Sequence, residues 1–171
     1  MSSSPPTATA ADRLPRWIHI WFLLSTPLIL WDISFVLLRP RSMPGGSLAA
    51  LWGPYAKYVT VDLSYGDLHN GFVPAQALMT CLEVLMLLVA ALAAWRGRRP
   101  LSTLLIFGAS LLTSAKTLLI FVIELVTHGE HVGHNSAKDL ILLYLLPNSL
   151  WVVVPALVAW VTGRRLLAPR A

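Results

Sequence analysis

The sequence predicts an all-α protein of the membrane, a bundle of four transmembrane helices with a capping lumenal loop. Of its 171 residues, 56% are hydrophobic and 12% are charged, a balance that soluble domains of this size rarely tolerate. Four apolar segments each reach the ~20 residues that a helix needs to cross ~30 Å of hydrocarbon. These segments are Trp17–Leu38, Phe72–Trp95, Leu101–Val126 and Leu140–Val161.

The chain divides into a membrane domain, residues 17–163, and two short ends. Residues 1–16 are rich in Ser, Pro and Ala, and we expect them to form a disordered cytosolic N-terminus. The first apolar segment is longer than the core of a signal peptide, contains Asp32 and lacks a cleavage site, so we expect it to be retained. Residues 164–171 form a basic cytosolic tail. The single Cys81 excludes an intramolecular disulfide.

Lysine and arginine residues are unevenly divided between the two sides of the predicted bundle. With four crossings, both termini and the loop between the second and third helices share one side. The basic residues on that side are Arg13, Arg16, Arg96, Arg98, Arg99, Arg164, Arg165 and Arg170, and those on the other are Arg39, Arg41, Lys57 and Lys138. The positive-inside rule therefore places both termini in the cytosol. The same bias accounts for the net charge of +5 without a nucleic-acid partner.

Each predicted helix contains one strongly polar side chain near the same depth. Counted from the lumenal surface at ~1.5 Å per residue, Asp32 lies ~9 Å deep, Asn148 ~12 Å, Lys116 ~15 Å and Glu83 ~16 Å. A charge at the centre of a membrane helix costs about 2.5–3.5 kcal/mol, so these groups must face the bundle interior and find partners. Their convergence predicts a functional site.

Neighbouring residues extend this polar layer. Gln76, Thr80 and Glu83 recur at i, i+4 and i+7 and form one stripe on the second helix. Asn148 and Trp151 are i, i+3 neighbours on the fourth. That helix also contains two prolines, Pro147 and Pro155, which we expect to bend it and open a cavity beside it.

Structural interpretations of the same residues stay open. Lys116 could pair with Glu83 or Asp32 only to hold helices together. Asn148 could serve as a hydrogen bond between helices, and Ser110 and Ser114 could form a packing surface. The coincidence of four polar groups at one depth favours the functional interpretation.

Two outer loops contain further candidates. The first contains the turn signals PGG and WGP among aromatic and apolar residues, so we expect it to lie on the membrane surface or cap the bundle. Within it, Asp62 and Tyr65 precede the second membrane helix, where helix capping and interfacial anchoring are the structural alternative. The second loop contains His128, His131 and His134; a metal site is one interpretation, but the two glycines among them favour a solvated loop.

The order of several short motifs resembles the emopamil-binding protein group, whose members share the EXPERA membrane domain. The resemblance covers about residues 20–165. It rests on W-x-x-Y-A-K, D-x-x-Y, C-x-E, G-x-x-x-G-H and N-x-x-W-x-x-x-P, formed here by Trp52, Tyr55, Ala56, Lys57, Asp62, Tyr65, Cys81, Glu83, Gly129, Gly133, His134, Asn148, Trp151 and Pro155.

The resemblance implies a bundle of four or five helices in the endoplasmic reticulum membrane, often dimeric, whose cavity holds a sterol-like or cationic amphiphilic ligand. In the sterol isomerase of that group, acids protonate an alkene, a polar and aromatic wall stabilises the carbocation, and a base removes another proton. The isomerase has a histidine one turn before the acid of the first helix, where this chain has Leu28. The resemblance therefore implies a related reaction on another terpenoid or polycyclic substrate.

Two hypotheses of different classes follow. The first is a membrane isomerase or cyclase that acts on a lipophilic sterol- or terpenoid-like substrate, without a cofactor or metal. Its catalytic residues would be Asp32, Glu83 and Lys116, and its substrate-binding residues Asn148, Trp151, Asp62, Tyr65, Thr80, Gln76 and Trp31. The second is a non-catalytic protein of the sigma-2 receptor type that binds a sterol or an amphiphile or takes part in its trafficking. Membrane lipids are partners in both, a homodimer is open, and the lack of inverted repeats disfavours a transporter.

Overall fold

The computed structural model describes residues 14–168 and confirms the all-α membrane fold. Its helices are α1 (Arg16–Leu37), α2 (Tyr55–Val61), α3 (Leu63–Gly66), α4 (Phe72–Trp95), α5 (Arg99–Val126) and α6 (Ala137–Leu167). The described residues contain no strand. Four of the helices, α1, α4, α5 and α6, are long and apolar enough to cross a membrane. Most of the predicted leader, residues 1–13, and the end of the predicted tail, residues 169–171, lie outside the described part of the chain.

The four long helices expose apolar side chains around the bundle. Leu23 on α1 is 74% exposed and Leu125 on α5 is 75% exposed. Such exposure would be costly in water but suits a lipid environment, where every backbone group of a long helix is bonded within the helix. Contacts between the helices use small residues instead, among them Ala90, Ala93 and Ala109, which are nearly fully buried.

The long helices are packed unevenly around the bundle. Helix α5 lies at its centre and packs along both α4 and α6, while α1 packs mainly against α4. Helices α1 and α6 meet through the rings of Trp21 and Trp151, whose centroids are 5.1 Å apart in an edge-to-face arrangement. Helices α1 and α6 share few other contacts.

Residues 38–71, here called the cap, cover the end of the bundle opposite to the chain termini. The indole of Trp31 donates a hydrogen bond to the carbonyl of Leu51, and the indole of Trp52 donates one to the carbonyl of Trp31, each at 3.0 Å. The ring of Phe35 stacks on that of Tyr55 with centroids 4.0 Å apart. Aromatic contacts thus fix the cap to the last turns of α1.

The second outer loop, residues 127–136, is held to the cap by hydrogen bonds from both its backbone and a side chain. The amide of Leu63 donates to the carbonyl of His131 at 3.2 Å, and the side-chain amide of Asn135 donates to the carbonyl of Val61 at 2.7 Å. Gly133 is required here, because a Cβ at this position would lie 2.7 Å from the Gly129 carbonyl oxygen. The two loops together form one cover over the bundle.

Candidate functional site

A cavity of about 600 Å³ lies beneath the cap, within the usual size range of small-molecule sites. Side chains from all six helices line it. Its polar lining consists of Asp32, Lys57, Gln76, Thr80, Glu83, Thr113, Lys116, Thr117 and Asn148, and its aromatic lining of Trp31, Tyr55, Tyr58, Tyr65 and Trp151. The cavity therefore brings together nine of the ten site residues that the sequence suggests, all except Asp62.

Asp32 lies where α1 meets the cap and accepts hydrogen bonds from two tyrosines. Its Oδ1 atom accepts from the hydroxyl of Tyr55 at 2.5 Å and from that of Tyr65 at 3.3 Å. Its Oδ2 atom has a longer contact with Tyr65, at 3.4 Å. Burial, together with the nearby Asp32 carboxylate, raises the pKa of both tyrosines well above the usual value. The phenols therefore stay protonated and act as donors.

Glu83 and Lys116 form an ion pair between α4 and α5. The Lys116 Nζ atom lies 3.8 Å from Oε1 of Glu83, and the Thr113 hydroxyl donates to Oε2 at 2.7 Å. Glu83 is only 3% exposed, and its Oε1 atom accepts no hydrogen bond from any described residue. Of the two carboxylates that the sequence offers to Lys116, the structure pairs it with Glu83.

The polar stripe on α4 both lines the cavity and joins helices. The side-chain amide of Gln76 donates to the carbonyl of Lys116 on α5 at 2.8 Å, and the hydroxyl of Thr80 donates to the carbonyl of Gln76 at 2.8 Å. Ser114 lies outside the cavity and donates to the carbonyl of Val152 on α6 at 3.0 Å. The packing interpretation thus describes Ser114, whereas Gln76 and Thr80 contribute both to the contacts of the helix and to the lining of the cavity.

Helix α6 changes its winding beside the cavity. Its residues Leu140–Leu145 form a π-helical segment that ends just before Pro147. A proline ring clashes with the carbonyl four residues earlier in an α-helix, and a wider turn relieves that clash. The side-chain amide of Asn148 donates to the Tyr144 carbonyl at 2.9 Å, inside its own helix. The local winding places Asn148 and Trp151 on the cavity wall.

Asp62 is the one suggested site residue that the structure keeps away from the cavity. It is 4% exposed, and its Oδ1 atom accepts from the amide of Ser64 at 3.0 Å and from the Ser64 hydroxyl at 2.5 Å, which caps α3. The chain turns after α2, so Asp62 faces a small separate space beside Glu124 and His131. These contacts are those of a helix-capping residue, the structural role that the sequence left open for Asp62.

Asp62→Asn is expected to remove a pH dependence of stability. Burial raises the pKa of Asp62 above its ordinary value of 3.8, so the folded protein retains a proton that the unfolded chain releases. The free energy of unfolding should therefore fall as the pH rises from 3.8 through the raised pKa. Asparagine keeps the capping oxygen and has no proton to lose. Thermal unfolding of the purified chain in detergent, from acidic to neutral pH, measures the slope.

The exposed Asp67 provides a matched control for this prediction. Asp67 lies in the same cap, where it accepts a hydrogen bond from the amide of His69 at 2.8 Å, but its side chain is exposed. The slope of stability against pH for Asp67→Asn should therefore equal that of the wild type. If Asp62→Asn also leaves that slope unchanged, buried Asp62 is not its source. Asp62→Ala, which lacks the capping oxygen, should lower stability at every pH by about 0.5–2 kcal/mol.

Two of the three histidines of the second loop have separate partners. Nδ1 of His131 lies 2.8 Å from Oε1 of Glu124, and Nε2 of His134 lies 2.8 Å from the carbonyl oxygen of Thr60. His128 has a positive φ of 54°. Within residues 14–168, no group of three or more His, Cys, Asp or Glu side chains is arranged to hold a metal ion.

Five polar or aromatic residues that line the cavity were not among the candidates from the sequence, namely Tyr55, Lys57, Tyr58, Thr113 and Thr117. Tyr55 belongs to the W-x-x-Y-A-K motif, and Tyr58 follows it one helical turn later, so helical spacing could have indicated both. Thr113 lies three residues before Lys116 and four before Thr117, on the face of α5 that lines the cavity. The hydrogen bond from Thr113 to Glu83 depends on the packing of α4 against α5, which spacing alone does not give.

Fold and cavity define a class: an integral membrane protein of four spanning helices, with a capped cavity that has polar groups on an apolar and aromatic wall. Comparisons with protein-family models, with curated proteins and with solved structures give no match.

Proposed function

We propose that the protein is a membrane isomerase or cyclase that acts on a lipophilic, sterol- or terpenoid-like substrate by acid–base chemistry. The observation that supports this most is the presence of two carboxylates, Asp32 and Glu83, in one cavity of about 600 Å³. Paired acidic groups at one site are what proton addition and proton removal require. The resemblance of the sequence motifs to the emopamil-binding protein group supports the same class of reaction.

The hydrogen bonds suggest how the two carboxylates divide the chemistry. Asp32 directs Oδ1 to both phenols, while Oδ2 has only the 3.4 Å contact with Tyr65, so Oδ2 is suited to hold a proton and donate it to an alkene carbon. Glu83 lines the same cavity beside Lys116, so its carboxylate is the candidate to remove a proton from a neighbouring carbon. One proton is added and one is lost, so the product keeps the mass of the substrate.

An aromatic wall favours the cation that forms between these two steps. Trp151, Tyr58 and Tyr65 line the cavity, and the face of an aromatic ring attracts positive charge. Asn148 and Gln76 provide polar groups for an oxygen function of the substrate. Lys116 lies beside Glu83, where it balances the charge of the base.

A lipophilic substrate would reach the cavity from the bilayer. Leu28 on α1 and Pro147 on α6 both line the cavity and are exposed at the lipid-facing surface. They belong to the two long helices that share little contact beyond Trp21 and Trp151. An opening between α1 and α6 suits a substrate that is dissolved in the membrane.

The proposal includes a location in the endoplasmic reticulum membrane with both termini in the cytosol. Six described arginines lie at the end of the bundle that contains the termini, namely Arg16, Arg96, Arg98, Arg99, Arg164 and Arg165. This bias supports the orientation through the positive-inside rule. Two parts of the proposal, the endoplasmic reticulum as the compartment and a homodimer as the assembly, rest on the resemblance to the emopamil-binding protein group.

Glu83→Gln is expected to abolish product formation. Lipids extracted from cells that express the wild type should contain a species with the mass of a precursor but a different retention time, and the variant should lack it, because the amide cannot accept the proton. Untargeted mass spectrometry detects both species. Glu130→Gln, at an exposed position of the second loop, serves as the matched control and should form product like the wild type.

The alternative function is a non-catalytic protein that binds a sterol or amphiphile. The same polar groups in an apolar cavity would hold an amine or a hydroxyl group, so the cavity by itself suits this function too. In that case no new species appears with either protein, and the wild type and Glu83→Gln co-purify with the same lipid or differ only in affinity. This outcome would refute the isomerase or cyclase proposal.

A further inference from the structure

A small space, here called the lower pocket, adjoins the cavity on the side of the chain termini. It has a volume of about 10 Å³. Four residues border both the lower pocket and the cavity, namely Ile29, Glu83, Thr113 and Trp151. Its remaining residues come before these on α1 and α5 and after them on α4 and α6, which is the direction of the termini. Glu83 therefore borders one space that suits a substrate and a second that is far too small for one.

Two serine hydroxyl groups in the lower pocket form no hydrogen bond with any described residue. Ser25 of α1 is 3% exposed and Ser110 of α5 is 2% exposed, and the Oγ atom of each is buried. A hydroxyl group within a helix can donate to the carbonyl four residues earlier, as Thr113 does to Ala109 at 3.0 Å, but neither serine does so. A buried hydroxyl group without a partner costs about 1–3 kcal/mol, so both are expected to have one.

We infer that the lower pocket binds one water molecule, which accepts hydrogen bonds from Ser25 and Ser110 and donates one to the carboxylate of Glu83. The volume decides the ligand, because about 10 Å³ suits one water molecule and nothing larger. The lining supplies the partners, because a buried water typically forms about three hydrogen bonds with polar groups that have no other partner. The three groups come from α1, α4 and α5, so the water joins three helices.

This water gives Ser25 and Ser110 a role in the chemistry, a step that rests on the proposed function. Glu83 accepts a proton from a substrate carbon in the cavity, so its carboxylate has to face that carbon. A hydrogen bond from the lower pocket holds the carboxylate in one orientation from outside the cavity, where a water molecule would instead capture the cation. Ser25 and Ser110 are thus positioning residues that act on Glu83 through the water.

A crystal structure of the full chain in a lipid phase, at a resolution that shows ordered water, tests the site without any turnover. The wild type is expected to show density at ~2.6–3.2 Å from the Oγ atoms of Ser25 and Ser110. Ser25→Ala/Ser110→Ala should lose this density. Ser102→Ala, at a buried serine of α5 outside the lower pocket, is the matched control and should keep it. Wild-type serines bonded to carbonyls of their own helices, with no density between them, would overturn the inference, as would density that persists in the double variant.

Two double variants test the positioning role, because stability alone would rank them in the opposite order. Ser25→Ala/Ser110→Ala and Ser25→Ala/Ser110→Gly both lack the hydroxyl groups, but glycine leaves room at position 110 for a further water molecule. We expect the rate of product formation in liposomes to fall by up to about 10²-fold in the first, the effect of a misplaced reacting group, and to recover in part in the second. Thermal stability should follow the reverse order, because glycine is less favourable than alanine in a helix by about 1 kcal/mol.

The results separate this inference from the proposed function. A rate that is lower with glycine than with alanine would follow stability and would overturn the positioning role. Absence of product from the wild type would refute the proposed function and this role together, while the density would still decide whether Ser25 and Ser110 hold a water molecule.

Discussion

Lys116→Met is expected to lower the free energy of unfolding by about 3–5 kcal/mol, the usual effect of removing one partner from a buried ion pair. The change removes the ammonium group that lies 3.8 Å from Oε1 of Glu83. Glu83 is 3% exposed, and that oxygen accepts no hydrogen bond from the described residues, so nothing nearby replaces the lost charge. Methionine keeps the unbranched apolar chain of lysine and so preserves most of the packing.

Reversible unfolding of the full chain in micelles with an increasing fraction of SDS measures this effect. Glu83→Gln/Lys116→Met should recover most of the lost stability, because replacing both charges removes the cost of the unpaired one. Lys138→Met, at an exposed position in the first turn of α6, is the control for the loss of a lysine as such. Equal effects of Lys116→Met and Lys138→Met would show that the pair with Glu83 does not contribute to stability.

The positions of Asp32, Glu83, Lys116 and Asn148 around one cavity illustrate how far a membrane sequence predicts its own structure. A bilayer fixes the length and the approximate direction of each helix, so position along the sequence translates into depth. Charges at the same depth must then turn inward to avoid lipid. That reasoning predicts that these side chains lie close together. Their chemical roles do not follow from depth and stay predictions.

The ends of α6 and its winding were less predictable. The helix begins at Ala137 and ends at Leu167, beyond the apolar segment Leu140–Val161 at both ends. Hydropathy marks the part of a helix that lies in hydrocarbon, whereas backbone hydrogen bonding continues into the interface. There, basic side chains in the last turn interact favourably with the helix dipole.

Asp62 and Tyr55 show why the cap was harder to predict than the bundle. Both belong to motifs in the same loop, yet Tyr55 donates to Asp32 in the cavity while Asp62 caps α3 away from it. The course of residues 38–71 depends on turns and on aromatic contacts with α1, such as the stacking of Phe35 on Tyr55. No bilayer restricts those residues to one direction, so their order in the sequence does not define their depth.

Asp32→Asn is expected to lower the rate of product formation by about 10²–10⁴-fold, the usual contribution of a general acid or base. Asparagine retains an oxygen that accepts from Tyr55 and Tyr65, so the contact between α1 and the cap should persist and the substrate should still bind. It has no acidic proton to donate to an alkene, so the proposed chemical step should fail.

Conversion of the precursor found by lipid extraction, measured with purified protein in liposomes, gives the rate, and co-purified precursor gives the binding. Asp67→Asn in the exposed part of the cap should behave like the wild type in both measurements. A normal rate with Asp32→Asn would remove this residue from the proton transfer and leave Glu83 as the remaining carboxylate of the cavity, whereas normal binding without product would identify Asp32 as the proton donor.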